Sequence, residues 1–137
     1  DESAQLKLAL LMKGIADQTG AVVAASGAVD VIVAPGEDTA YFLENGVPSM
    51  AQITGTGCML TCIMGAFMAV TSPLNAAIAG AAALGISGET ADCSLGLGTY
   101  HMKLLDALSL LSDETLERRM KLHTKTLRVY TDGSTSA

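Results

Sequence analysis

The sequence predicts an α/β chain, with helices packed on a mainly parallel sheet that carries a hairpin at its edge. Three observations lead there. Leu8, Leu11, Met12 and Ile15 recur at helical spacing, and Gly20 stands where a C-terminal glycine stop belongs. Directly after it, Ala21 to Ser26 is an almost unbroken run of small apolar residues, which suits a strand covered on both faces. Finally, Asn45 to Gly88 holds no Asp, Glu, Lys or Arg, so its helices should be covered nearly all round.

Each element has a local reason. Ser3 is placed to cap the first helix. Val29 to Val33 and Thr39 to Leu43 flank the turn Pro35-Gly36-Glu37-Asp38 and form a hairpin. Asn45-Gly46 makes a second turn, and Val47 to Ile53 supplies a further edge strand. Thr54-Gly55-Thr56-Gly57 opens a helix from Cys58 to Val70, which Thr71-Ser72-Pro73 breaks. Ser72 as cap and Pro73 in the first turn start an Ala-rich helix towards Gly85. Gly96-Leu97-Gly98 leads into a helix from Met102 to Leu111, and Asp113 to His123 forms a last one, solvated on its charged face. Residues 1–130 are then one structural unit, with 131–137 a disordered tail.

Composition narrows the function. A chain of 137 residues is one domain or a piece of one, and with 4% aromatic residues its core must be aliphatic. The net charge of -6 has the wrong sign for nucleic acid or an anionic membrane surface, and neither partner is expected. The longest apolar run, Cys58 to Val70, falls short of the about 20 residues a bilayer asks for. Three cysteines, an odd number in apolar or Gly-rich surroundings, argue for a reducing compartment, and the expected location is the cytoplasm. The chain begins at Asp1 without a Met, which suggests a fragment or a processed product.

Gly55-Thr56-Gly57-Cys58 is the strongest local chemical feature. Its glycines allow a tight turn with N–H groups facing one way, and the following helix start adds positive potential, which together make a candidate anion hole. It fits neither the P-loop pattern nor the dinucleotide fingerprint, and on spacing alone a plain tight turn is the commoner explanation. Cys58 lies in the first turn, where the helix dipole favours a thiolate, so it is a candidate nucleophile or base; composition alone favours a packing residue. Cys62 shares its helix face, but two Cys without a nearby His make a poor metal site, and Cys93 is expected in the core. His101 and His123 show neither triad nor zinc spacing. Arg118, Arg119, Lys121, Lys125 and Arg128 read as a solvated helix face.

Several motifs, in order, carry a more specific signal. Ala24-Ala25-Ser26-Gly27-Ala28-Val29-Asp30, Ile53-Thr54-Gly55-Thr56-Gly57-Cys58-Met59-Leu60-Thr61 and Gly65-Ala66-Phe67-Met68-Ala69-Val70 resemble the C-terminal half of hydroxyethylthiazole kinases. Gly85-Ile86-Ser87-Gly88-Glu89, Gly96-Leu97-Gly98-Thr99-Tyr100 and Leu104-Leu105-Asp106-Ala107-Leu108 continue the match to about Leu111. The resemblance implies the C-terminal portion of a ribokinase-like three-layer fold. Its implied activity is ATP-dependent phosphorylation of the primary alcohol of hydroxyethylthiazole, a step of thiamine salvage.

By that carry-over, Gly55 contacts the alcohol, Ser26 lies near the ATP phosphates, and Thr54 and Thr56 belong to the phosphate loop. Thr56, Gly57 and Cys58 are the expected catalytic group: backbone N–H groups of Gly55 to Cys58 hold charge on the transferred phosphoryl group. Related sugar kinases have Asp where this chain has Cys58, which would then stand beside the attacking hydroxyl as a weak base. Family members are about twice this long. The absent N-terminal half is expected to supply most of the thiazole pocket and the acidic residues that organise Mg2+, so no metal ligands are expected here and the chain alone should be inactive. The expected partners are that half and, for the complete enzyme, a homotrimer. A non-catalytic binding or assembly module that keeps half of the kinase fold is the alternative.

Overall fold

Helix α1 spans Glu2–Thr19 and is bounded at both ends by its own sequence. Asp1, rather than Ser3, is its N-cap: the Asp1 carboxylate, a stronger acceptor two residues earlier, accepts the Ser3 N–H at 3.0 Å. Gly20 ends the helix in the left-handed conformation, φ 71°, and donates its N–H to the Ala16 carbonyl. The computed structural model describes residues 1–128, and the expected tail at 131–137 lies outside them. After α1 come strands β1 (Val23–Ala25), β2 (Asp30–Val33) and β3 (Thr39–Leu43) and a 3₁₀ segment at Pro48–Gln52. Helices α2 (Thr56–Phe67), α3 (Pro73–Thr90), α4 (Leu97–Ser109) and α5 (Asp113–Arg119) follow, and β4 (Leu122–Thr126) is the last strand.

The class is α/β, as expected, but the sheet is not mainly parallel. All three described strand pairs, in the order β1-β2-β3-β4, are antiparallel. Connection length decides this. A parallel pair needs a crossover of a dozen or more residues, while the links at 26–29 and 34–38 permit only hairpins. The last helix ends at Arg119 rather than at the expected His123, and β4, which the sequence reading did not expect, then pairs Leu122 with Leu43 and Thr126 with Thr39. Its pattern of Leu, His, Thr and Lys is largely exposed, which suits a charged edge strand and hides it from any search for apolar runs.

Side-chain alternation on β2 and β3 divides the core. Val31, Val33, Ala40 and Phe42 pack on Ala9, Met12 and Ala16 of α1, whereas Leu43 packs on Ala81, Ala82 and Ile86 of α3. Helices thus lie on both faces of the sheet in three layers. A third cluster joins Leu84 of α3 to Tyr100 and Leu104 of α4, and the buried Tyr100 hydroxyl donates to the Gly88 carbonyl at 2.9 Å.

The charge-free span behaves in two ways. Helix α3, capped by Ser72 with Pro73 at its start, is buried from Gly80 through Gly88 and continues past Gly85 to Thr90. Helix α2 has no fully buried residue, and Cys58, Thr61, Cys62, Gly65 and Ala66 face outwards, so the expectation of all-round cover fails for it within this chain. Val47 to Ile53 is not a strand. Pro48 fixes φ and lacks an N–H, and the bonds Met50 N–H to Val47 O and Ile53 N–H to Met50 O close a 3₁₀ turn instead. Helix α4 begins at Leu97, five residues before the expected Met102, because Gly96 can take φ 102° at the N-cap and Tyr100 is buried in its first turn. Cys93 is exposed rather than in the core. The basic residues do not share one helix face either: Arg119 and Lys121 pair with Glu89, Lys125 with Glu2 and Arg128 with Asp38.

Glycines on α3 set how close its neighbours come. A Cβ at Gly80 would stand 2.7 Å from the Met64 side chain of α2, one at Gly85 would stand 2.7 Å from Asn45 Cβ, and one at Gly88 would collide with Met50. At Gly14 of α1, by contrast, a Cβ meets nothing within 4 Å. Gly14→Ala should therefore stabilise the protein by about 0.5–1 kcal/mol through helix propensity. Gly85→Ala makes the same gain but overpacks against Asn45, for a net loss of about 1–2 kcal/mol. Chemical denaturation of the two variants checks the opposite signs.

Candidate functional site

Between the sheet and helices α2 and α3 lies a cavity of about 560 Å³. Three stretches of chain form its rim: the turn from Ser26 to Asp30, the loop from Asn45 to Ala51, and the start of α2 at Thr56 and Gly57. Leu60, Ala81, Leu84 and Gly85 add an apolar wall, and Ser26, Asp30, Asn45 and Thr56 are the polar side chains of the lining.

The start of α2 adds backbone N–H groups to the rim. Gly55 is its N-cap in the left-handed conformation, φ 94°, which an L side chain rarely adopts, and its carbonyl accepts the Met59 N–H at 2.9 Å. No side chain caps this helix, whereas Asp1, Ser72 and Ser112 cap α1, α3 and α5. The N–H groups of Thr56, Gly57 and Cys58 belong to the first turn and have no intrahelical acceptor. A Cβ at Gly57 would meet nothing within 4 Å, so packing within the chain does not require glycine there. It leaves room at the rim.

Across the rim, Asp30 opens β2 and its Oδ1 accepts the Gly27 N–H at 3.0 Å. Burial pushes the Asp30 carboxyl above its ordinary range, and the Gly27 N–H works in the opposite direction. The third stretch is tied down from behind. Glu89 Oε1 accepts the Gly46 N–H at 2.9 Å, Asn45 Nδ2 at 3.1 Å and Lys121 Nζ at 3.0 Å, while Oε2 takes Arg119 at 3.3 Å. Asn45 Nδ2 also donates to the Arg119 carbonyl, and its Oδ1 accepts the Lys121 N–H. Burial alone would raise the Glu89 pKa, but the donors from Gly46, Lys121 and Asn45 outweigh it and hold the carboxyl below its ordinary range.

Of the residues singled out in the sequence, Ser26, Thr56 and Gly57 line one cavity although β2, β3 and the 3₁₀ segment lie between them along the chain. Thr54, Gly55 and Cys58 are exposed beside the rim rather than part of its lining. Asp30, Asn45 and Glu89 went unassigned by sequence reading. Asp30 stands inside a recognised motif, which is a usable signal, whereas the Asn45–Glu89 contact joins residues far apart in the chain. Magnesium requires several oxygen ligands, and Asp30 is the one carboxylate among the lining residues, so the described residues do not by themselves fit that ion. No cluster of three or more metal-ligating side chains occurs among the described residues, and none of their helices is long and apolar enough to cross a membrane.

Fold and cavity together give an α/β protein with a cavity that opens beside the start of α2. Residues 1–114 match the model of the hydroxyethylthiazole kinase family, and the chain belongs to that family. It is similar to hydroxyethylthiazole kinase 2 of Methanosphaera stadtmanae, 42% identical over 120 residues that cover 84% of this chain and 42% of the relative. Hydroxyethylthiazole kinase of Vibrio atlanticus is 44% identical over 104 residues, 75% of this chain and 38% of that protein. Among solved structures, hydroxyethylthiazole kinase from Pyrococcus horikoshii OT3 superposes with a TM-score of 0.80 at 28% identity, covering 90% of this chain and 48% of that one. The chain therefore spans less than half the length of these relatives.

Proposed function

We propose that this chain is the C-terminal portion of a hydroxyethylthiazole kinase, which transfers the γ-phosphoryl group of ATP to the primary alcohol of its thiazole substrate. The observation that carries the reading is the meeting of Ser26 with Thr56 and Gly57 at an uncapped helix start, over one apolar cavity. In such a transfer the alcohol oxygen forms a bond to the γ-phosphorus as the bond to the ADP oxygen breaks. Charge spreads over the phosphoryl oxygens. The N–H groups of Thr56, Gly57 and Cys58 and the helix dipole are there to hold it, and Ser26 steadies the phosphates from the opposite rim. Apolar walls at Val47, Leu60 and Leu84 keep water from competing as acceptor. The hydroxyl proton goes to Cys58 or to solvent.

Magnesium, when bound, would neutralise phosphate charge, and its protein ligands would come from residues outside this chain. The same holds for much of the thiazole pocket and for the homotrimer in which the complete enzyme works, in the cytoplasm. An ADP-release assay on the full-length protein tests the proposal. Turnover that depends on hydroxyethylthiazole, ATP and magnesium together is expected, whereas a folded protein that binds the thiazole without releasing ADP would make it a binding module instead.

A further inference from the structure

The turn that carries Ser26 is held by a carboxylate rather than by crowding. Asp30 lines the cavity, and its Oδ1 accepts the N–H of Gly27, the residue directly after Ser26, at 3.0 Å. Among the described residues no other side chain hydrogen-bonds to the backbone of 26–29. A Cβ at Gly27 would meet only the Val29 carbonyl, at 3.5 Å, so neighbouring atoms leave the turn free to shift. An ionised carboxylate repels an anion held in the same cavity, which makes direct contact with phosphate an unfavourable role for Asp30. Turned onto the Gly27 amide, it instead makes a charge-assisted hydrogen bond within the protein.

We propose that Asp30 is a positioning residue for the nucleotide: by holding the Gly27 amide it fixes the turn so that Ser26 faces the phosphates. This rests on the kinase reading. The role belongs to the acceptor oxygen and not to the charge, so an amide side chain can replace it while alanine cannot.

The test compares Asp30→Ala and Asp30→Asn in the full-length protein, by steady-state kinetics and by calorimetric titration with a non-hydrolysable ATP analogue. Asp30→Ala should raise the KM for ATP and weaken analogue binding about tenfold, the scale of one charge-assisted hydrogen bond, with the KM for the thiazole within about twofold of the parent. Asp30→Asn, whose Oδ1 still accepts from Gly27, should stay within about threefold of the parent on both nucleotide measures. Parental nucleotide binding in Asp30→Ala, or equal damage in both variants, overturns the proposal. Should Asp30→Ala not fold, amide exchange in the parent decides: a protected Gly27 N–H supports it and a freely exchanging one removes its basis. A parent that binds the analogue but turns over no thiazole defeats the kinase reading alone, since analogue affinity still reads Asp30.

Discussion

Replacing Cys58 by alanine in the full-length enzyme is expected to lower kcat by up to about 10²–10⁴-fold, the scale of general base catalysis, with little change in the KM for ATP. Cys58 is the third residue of α2, exposed beside a rim formed by Thr56 and Gly57. Alanine removes the proton acceptor and leaves the Gly55 turn and the first-turn N–H groups in place. Cys58→Asp should retain or raise turnover. It keeps a short side chain at the helix start, provides an acceptor, and puts a negative charge where the helix dipole stabilises it. Measuring kcat for both variants separates the roles. An alanine variant as active as the parent would take Cys58 out of the chemistry, and a covalent adduct on Cys58 found by mass spectrometry during turnover would make it a nucleophile rather than a base.

The second large effect concerns stability. Glu89→Ala should destabilise the protein by about 3 kcal/mol, because it leaves the Gly46 N–H without its acceptor, takes one of two acceptors from Asn45 Nδ2 and removes the carboxylate that faces Arg119 and Lys121. The Glu89 side chain is only 10% exposed, so water replaces these contacts poorly. The same group sets a pH dependence. Its folded pKa lies below the ordinary glutamate value, so the native state holds fewer protons there than the unfolded chain. Its stabilising contribution is complete above the unfolded value and is lost as pH falls through the folded one. Urea unfolding of parent and Glu89→Ala at pH 7 and near pH 3 should show a gap that narrows with acid; a gap independent of pH would mean that the carboxylate charge is not what matters.

How far the fold was legible depended on how local each decision was. Thr39 to Leu43 was read as a strand at the bounds it occupies, and Gly20 and Ser72-Pro73 marked a helix end and a helix start, because turns and caps are settled by a few adjacent residues. Strand direction was misread from the run Ala21 to Ser26. An apolar strand does not by itself say which neighbour it takes, and here the short links to β2 and β3 decided it. The end of α3 was placed too early for a related reason. Gly85 and Gly88 look like breakers, yet they are tolerated inside the helix because Asn45 and Met50 fill the space that side chains would need.

The site divides along the same line. The resemblance grouped Ser26 with Thr54, Gly55, Thr56, Gly57 and Cys58; Ser26, Thr56 and Gly57 line one cavity, whereas Thr54, Gly55 and Cys58 lie outside its lining. The hold of Asp30 on Gly27 was readable in principle, since it spans three residues of a recognised motif. Nothing in local sequence could indicate that Glu89 would close on Gly46, because that contact exists only once α3 has docked on the loop after β3.

The return of β4 to β3 has a consequence for the order of folding. The β1–β2–β3 meander and α1 can assemble from the first third of the chain, through contacts close in sequence that form early. The outer edge of β3 must wait, since its partner emerges from the ribosome only after α2, α3, α4 and α5. During that interval the backbone of Thr39 to Leu43, including Tyr41 and Phe42, is a bare strand edge able to pair with another nascent chain. Closure of β4 ends the exposure and ties the sheet to α1: Lys125 reaches Glu2 at the start of that helix, and the Leu127 N–H joins the Asp38 carbonyl at 2.6 Å. A polypeptide stopped between α5 and β4 would therefore have nearly all of its core and still be the form most prone to self-association.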